Sequence, residues 1–194
     1  MTIIPINGQN ERMGKYFKTP KHLLLYKGTP AINYTVSQMK EFGSVKVLIG
    51  EHYKDVDWVE NVRVKPTSNV IDTIQQITLK DKVFIVDCDV VPLFLNPPKG
   101  NTIYLFKNEK KLAHYSNYKV ENGLVTECNE KGKVFEWAGA GVYYFAMNDD
   151  FYSKSVGSTS IAQMLNRLIQ DGKKVYADTT SKIFRFGTIK DICG

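Results

Sequence analysis

A short apolar run, Ile3-Ile4-Pro5-Ile6, opens directly onto Asn7-Gly8-Gln9-Asn10-Glu11-Arg12-Met13, and Thr19-Pro20-Lys21-His22-Leu23-Leu24 follows soon after. A glycine turn at the end of a strand leaves backbone N–H groups facing outward, where they can hold phosphate oxygens. Arg12 and Lys21 add full positive charge beside them. The chemistry this combination suits is the binding of nucleotide phosphates. An ordinary strand-to-helix turn with two solvated cations would contain the same residues, so the loop alone leaves both readings open. A second cluster, Val86-Asp87-Cys88-Asp89-Val90, places two carboxylates at the end of another apolar run. Mg²⁺ prefers hard oxygen ligands and takes only one or two from protein, completing its shell with phosphates and water. An Asp can equally cap the turn that follows; beside a phosphate loop, the pair reads as a magnesium site.

These residues need a scaffold that brings two strand ends together. Ile3–Ile6 reads as a buried strand. From Ala31 to Phe42 the residues Ile32, Val36, Met39 and Phe42 recur at helical spacing, with Gly43 as the stop. Val45–Ile49 and Asn61–Val64 are strand-like, and Ser68 is expected to cap a helix with Val70, Ile71, Ile74 and Ile77 inward. Lys82–Val86 follows as a buried strand. Strands alternating with helices imply βαβ units and a mainly parallel, Rossmann-like α/β sheet flanked by helices. Thr102–Leu105, Lys111–Lys119 and Leu124–Cys128, with the tight turn Asn122-Gly123, predict a small antiparallel β insertion. Val142–Ala146 returns to a buried strand, Ser158 or Thr159 is expected to begin a helix ending before Gly172, and Lys174–Ala177 and Ile183–Phe186 are expected to finish the sheet. In open α/β sheets ligands sit beyond the carboxyl ends of the strands, so the first loop and the Asp87–Asp89 turn are expected at one site.

Composition bounds the alternatives. With 194 residues, 43% of them hydrophobic, the chain reads as one folded domain over residues 1–194. No apolar run approaches the ~20 residues of a membrane helix, and the N-terminus lacks a signal core, so a cytoplasmic protein without a membrane partner is expected. Cys88, Cys128 and Cys193 show neither paired nor C-x-x-C spacing, which argues against a disulfide framework or zinc site. The net charge of +6 suits an anionic ligand, but the lysines are dispersed and no nucleic-acid motif accompanies them. The histidines His22, His52 and His114 show no metal or nucleophile spacing.

Taken together, the pattern resembles the signature of the sugar-phosphate nucleotidyltransferases, G-x-G-x-R-M followed by P-K-x-L and G-x-P. Gly8, Arg12 and Met13 fill the first part, Pro20, Lys21 and Leu23 the second, and Gly28-Thr29-Pro30 the third. Asn10 replaces the second glycine, and Asn tolerates the left-handed conformation better than most residues. Glu11 stands where the family has a small residue. Trp137 to Phe145, with Gly139 and Gly141, resembles the family's glycine-containing strand at the acceptor pocket, although the glycines could equally mark a bulge. Phe186-Gly187-Thr188-Ile189-Lys190-Asp191-Ile192 resembles the closing G-T-P-E-D-L motif.

The resemblance implies a GT-A-like enzyme that transfers a nucleoside monophosphate from an NTP, CTP or another, to a small phosphorylated acceptor, releasing pyrophosphate. The acceptor would be a sugar phosphate or a phospho-alcohol, in nucleotide-sugar or cell-surface polysaccharide biosynthesis, and a homodimer is left open. Arg12, Lys21 and Asp89 would be catalytic: Arg12 on the departing phosphates, Lys21 on the α-phosphate and acceptor, Asp89 on Mg²⁺. Ile6, Asn7, Gly8, Gln9, Asn10, Arg12, Met13, Lys21, Thr67, Asn69 and Asp87 would bind the nucleotide, and Gly139, Gly141 and Arg185 the acceptor. Relatives often carry a second metal carboxylate at the position of Arg185; here Asp178 is the substitute suggested by position. A GT-A glycosyltransferase with Asp87-Cys88-Asp89 as its metal motif, or a nucleotide-binding protein with reduced catalysis, are the alternatives.

Overall fold

A computed structural model of the chain describes residues 1–7, 19–110, 115–130 and 132–186. The first strand, β1 (Thr2–Ile6), is buried along its whole length. After a short 3-10 helix (Lys21–Leu23), β2 (Leu25–Tyr26) and β3 (Thr29–Pro30) form a small hairpin whose turn residues Lys27 and Gly28 both have positive φ. Helix α1 (Ala31–Lys40) turns Ala31, Ile32, Val36 and Met39 inward, as the spacing predicts. The strands β4 (Val45–Gly50) and β5 (Glu60–Val64) follow, then the short helix α2 (Val70–Ile74) and β6 (Val83–Val86). Next come β7 (Val90–Phe94), β8 (Thr102–Lys107), β9 (Asn117–Glu121), β10 (Leu124–Asn129) and β11 (Trp137–Phe145). Helices α3 (Asn148–Ser155) and α4 (Ile161–Gln170), then β12 (Tyr176–Asp178) and β13 (Lys182–Arg185), complete the described chain.

Nine strands form one sheet in the order β5-β4-β1-β6-β11-β8-β12-β10-β9, and an extra pairing of β11 with β9 closes its far end. The pairs β5/β4, β4/β1, β1/β6 and β8/β12 are parallel, and the others in this sheet are antiparallel. The sheet is therefore mixed, where a mainly parallel one with a small insertion is expected from the sequence. The Asn122-Gly123 turn has φ of 50° and 75°, the left-handed pair that a tight hairpin requires. It makes β9 and β10 antiparallel, and β11 runs against both β6 and β8, so antiparallel pairing dominates the second half of the sheet, with β8/β12 as its parallel exception.

Period-two alternation sends neighbouring side chains into two cores. Ile3 of β1 and Val83 and Ile85 of β6 join one cluster with Ile71 and Ile74 of α2 and Leu165 and Leu168 of α4. Ile4, Ile6, Phe84 and Val86 join the other with Ile32, Val36 and Met39 of α1. Helices thus cover both faces of the strands that carry the two candidate loops, and strands buried on both faces read as continuous apolar runs.

Three local expectations are corrected, and one helix is added. The N-cap of α2 is Asn69 and not Ser68: its side chain accepts the Asp72 N–H, and the helix stops at Ile74, short of Ile77. The cap of α4 is Ser160, two residues past the first expected start, because its hydroxyl accepts the Gln163 N–H at 3.2 Å. Helix α3, built around the buried Phe151, is not foreshadowed by apolar periodicity. Strand β13 pairs with β7 in a separate two-stranded sheet, so β12 is the last strand of the main one. No described helix is long and apolar enough to cross a membrane.

Candidate active site

Parallel neighbours β1 and β6 pair Thr2 with Phe84 and Ile3 with Ile85, which brings Asn7 and the Asp87–Asp89 turn to the same edge of the sheet. A cavity of about 750 Å³ opens there. Ile6, Asn7, Lys21, Thr67, Asn69, Asp87 and Asp89 all line it. Gly8, Gln9, Asn10, Arg12 and Met13 lie outside the described residues, as does the Gly187–Ile192 motif.

The charged centre of the cavity is an ion pair: Lys21 Nζ donates to Asp89 Oδ2 at 2.9 Å, with the two side chains only 11% and 17% exposed. The short helix after Pro20 holds Lys21 at the cavity wall, and the turn after β6 presents Asp89 to it. The backbone of Asp89 is fixed from β13, where the Phe186 N–H donates to Asp89 O at 2.6 Å.

Asn7 ties the end of β1 to the approach of α2. Its Nδ2 donates toward Lys65 O at 3.0 Å and lies 3.1 and 3.4 Å from the hydroxyls of Thr67 and Thr73. Its Oδ1 faces Gly50, where a Cβ would come within 2.5 Å. Gly50 is thus a positioning residue whose only sequence signal is that it ends the apolar strand β4. Asn69 lines the cavity while spending its amide on the cap of α2, so part of its side chain is already committed.

The residues expected at the acceptor are placed differently. Gly139 and Gly141 do not line the cavity; Gly139 borders the register shift in β11 and Gly141 lies within it, so they mark the bulge. Gly141, at φ 78°, has its carbonyl accepting the Asp87 N–H at 2.8 Å, and a Cβ there would lie 2.9 Å from Asp87 Oδ2 and from Val90 Cγ1. It acts through Asp87 by leaving room for the carboxylate. A Cβ on Gly139 would meet the Tyr118 ring at 3.1 Å. Arg185 stacks its guanidinium 3.3 Å from the Phe106 ring centre and 5.0 Å from that of Tyr115, and it is not part of the cavity lining.

Asp178 is not brought to Asp89. Its Oδ1 accepts the Thr180 and Ser181 N–H groups at 3.0 and 2.8 Å, and its Oδ2 accepts from Asn96 Nδ2 at 2.9 Å. It closes the turn between β12 and β13, and the second carboxylate at the cavity is Asp87. Among the described residues there is no cluster of three or more metal-ligating side chains. Asp87 and Asp89, close together on one turn, still fit Mg²⁺, because that ion completes its shell with phosphate oxygens and water.

Several cavity residues have no sequence motif to reveal them: His22, Tyr53, Ser116, Glu130, Tyr143 and Ser160. Burial lowers the His22 pKa to about 4, so its imidazole is neutral at physiological pH, edge-on to the Tyr53 ring at 5.0 Å. Burial raises the Cys88 thiol, reinforced by the charges of Asp89 and Asp87, and burial likewise pushes the Tyr143 hydroxyl well up. Lys21, Asp87, Asp89 and Glu130 are the lysine and acidic side chains among the described residues that line the cavity.

No family model matches the chain, and no curated protein matches it in sequence. Its fold is that of the nucleotidyltransferases. A nucleoside-diphosphate-sugar pyrophosphorylase from Vibrio cholerae superposes with a TM-score of 0.79 at 16% identity, over 100% of this chain and 98% of the other. The CTP:phosphocholine cytidylyltransferase of Streptococcus pneumoniae matches at 0.75 and 16% identity, over 99% and 95%. The inositol-1-phosphate CTP transferase of T. maritima matches at 0.75 and 13% identity, over 98% and 90%.

Proposed function

We propose that the chain is a single-domain nucleotidyltransferase that joins the nucleoside monophosphate of an NTP to a small phosphorylated acceptor and releases pyrophosphate. The observation that carries this reading is the Lys21–Asp89 pair lining the cavity at the shared carboxyl end of β1 and β6. The neighbouring folds, whose names include pyrophosphorylase and CTP transferase activities, support it.

In the proposed reaction an oxygen of the acceptor phosphate attacks the α-phosphorus in line, a new P–O bond forms, and the bond to the pyrophosphate oxygen breaks with its electron pair. Such a reaction needs positioning and charge neutralisation more than a covalent nucleophile. Lys21 would supply a positive charge between the α-phosphate and the acceptor phosphate. Asp89, with Asp87 beside it, would hold Mg²⁺, which when bound neutralises phosphate charge. Asn7 fixes the strand end from which the first loop departs, and the region of Thr67 and Asn69 faces the nucleoside side of the cavity. The proposed reaction belongs in the cytoplasm, in the supply of activated precursors for cell-surface polysaccharide. Pyrophosphate release measured with a panel of NTPs against sugar phosphates and phospho-alcohols tests the reading; at least one pair is expected to react with strict dependence on both partners, and no release with any pair would refute it.

A further inference from the structure

Tyr118 carries a buried hydroxyl that the fold does not use. The residue is 0% exposed, and its Oη finds no hydrogen-bond partner among the described residues. The ring packs in one core cluster with Ile85 and Tyr143, a place that a phenylalanine would fill as well. A buried hydroxyl left unpaired costs stability, so its presence calls for a reason outside packing. Its surroundings belong to the cavity wall: Ser116 and Tyr143, both lining the cavity, bring their hydroxyls beside it without completing a hydrogen bond.

Strand β11 makes room for this hydroxyl and for Asp87 together. A Cβ on Gly139 would lie 3.5 Å from Tyr118 Oη, and one on Gly141 would lie 2.9 Å from Asp87 Oδ2. The two glycines at the bulge thus leave one stretch of strand open to both groups. Asp87 lies two residues past Ile85, so strand alternation carries its side chain to the face on which Ile85 meets Tyr118 and Tyr143. Its backbone is fixed there, the Asp87 N–H donating to Gly141 O at 2.8 Å. Burial holds the Tyr118 and Tyr143 hydroxyls well above the usual tyrosine range, and the charge of Asp87 adds to this at both, so each stays an O–H donor at neutral pH. Carboxylates that ligate a metal are oriented by donors outside the coordination shell. A donor without a structural partner, set beside a carboxylate of the cation site, is that arrangement in the metal-free protein. We propose that Tyr118 is a positioning residue for the cation site, its hydroxyl donating toward the Asp87 carboxylate and holding it in the orientation that ligates a divalent cation. The proposal rests on the reading of Asp87 and Asp89 as the Mg²⁺ site, but on no step of the reaction.

The test is Mn²⁺ titration of the full chain without nucleotide, followed by loss of the free-ion paramagnetic resonance signal, in wild type, Tyr118→Phe, Asp87→Asn and the double variant. Tyr118→Phe is expected to weaken Mn²⁺ binding about tenfold. Its thermal midpoint should equal or exceed that of wild type, because the ring packing stays and the unpaired hydroxyl goes. In the Asp87→Asn background, where Asp89 still binds Mn²⁺ more weakly, the same substitution should change affinity less than about twofold, since the carboxylate it acts on is gone. Wild-type Mn²⁺ affinity in Tyr118→Phe overturns the inference, as does an equal tenfold loss in the Asp87→Asn background. A lowered thermal midpoint also overturns it, by showing that the hydroxyl holds the fold. Tyr118-dependent Mn²⁺ binding without pyrophosphate release from any pair would sustain the inference while refuting the reaction, and pyrophosphate release with Mn²⁺ binding indifferent to Tyr118 would do the reverse.

Discussion

Replacing Lys21 by Met should move metal binding and turnover in opposite directions. At 2.9 Å the Lys21–Asp89 attraction is roughly 6 kcal/mol for an effective dielectric of about 20. Desolvation of both partners offsets much of that, and a charge-assisted hydrogen bond of this burial retains about 1.5–3 kcal/mol. In the free protein a divalent cation reaching Asp89 must displace that interaction. Lys21→Met removes the competitor and keeps the aliphatic bulk, so affinity for Mn²⁺, a spectroscopic substitute for Mg²⁺, should rise roughly ten- to hundredfold without nucleotide. The same variant loses the charge aimed at the transferring phosphate, and turnover should fall at least about a hundredfold, close to 3 kcal/mol. Loss of the free Mn²⁺ paramagnetic resonance signal on titration gives the first quantity, and pyrophosphate release the second. Unchanged Mn²⁺ affinity would mean that the ion pair does not guard Asp89, and near-normal turnover would make Lys21 a wall residue without a role in the chemistry.

Asp89→Asn should abolish Mg²⁺-dependent turnover, because the amide keeps the shape and loses the charge, whereas Asp87→Asn should hurt less; equal small losses in both would favour the turn-capping role instead. Gly141→Ala should lower stability by about 1–3 kcal/mol and impair activity together, since a left-handed backbone and a 2.9 Å approach to Asp87 both resist a methyl group; a thermal midpoint within error of wild type would refute this. His22 is held neutral by burial, with a folded pKa of about 4 against about 6.5 when unfolded, so the unfolded chain binds more protons between those values. Its contribution to stability is complete above pH ~6.5 and falls as pH drops toward ~4, by up to roughly 3 kcal/mol. Denaturant unfolding across that window should be less steep in pH for His22→Phe than for wild type, and parallel slopes would contradict the assignment.

What the sequence reveals about this fold depends on whether the information is local. Buried strands such as β1 and β6 are continuous apolar runs because both faces are covered, and Asn122-Gly123 marks its hairpin because few other pairs take two positive φ values. Asn7 and the Asp87–Asp89 turn share one edge because parallel neighbours end there, which follows from the alternation of elements. Helix caps fall one or two residues away from expectation where several cap-competent residues adjoin, and only the backbone geometry chooses Asn69 over Ser68 and Ser160 over Ser158. Asp178 is engaged away from the cavity for a non-local reason: β13 leaves the main sheet to pair with β7, and in the turn before it the Thr180 and Ser181 N–H groups donate to that carboxylate. Glu130, Ser116 and Ser160 belong to no short motif, since three separate segments converge only in the folded chain.

The central proposal is that a phosphate oxygen of the acceptor attacks the α-phosphorus of an NTP in the cavity built on Lys21 and Asp89. Phosphorus NMR of a reaction containing the most reactive NTP, a sugar phosphate and Mg²⁺ reads that bond directly. The account predicts one new diphosphate product that retains the acceptor's phosphorus, stoichiometric pyrophosphate, and loss of both signals in Asp89→Asn and Lys21→Met. Nucleoside diphosphate released from a nucleotide sugar by the same protein, with no pyrophosphate from any NTP and acceptor pair, would contradict it and assign the Asp87-Cys88-Asp89 turn to glycosyl transfer.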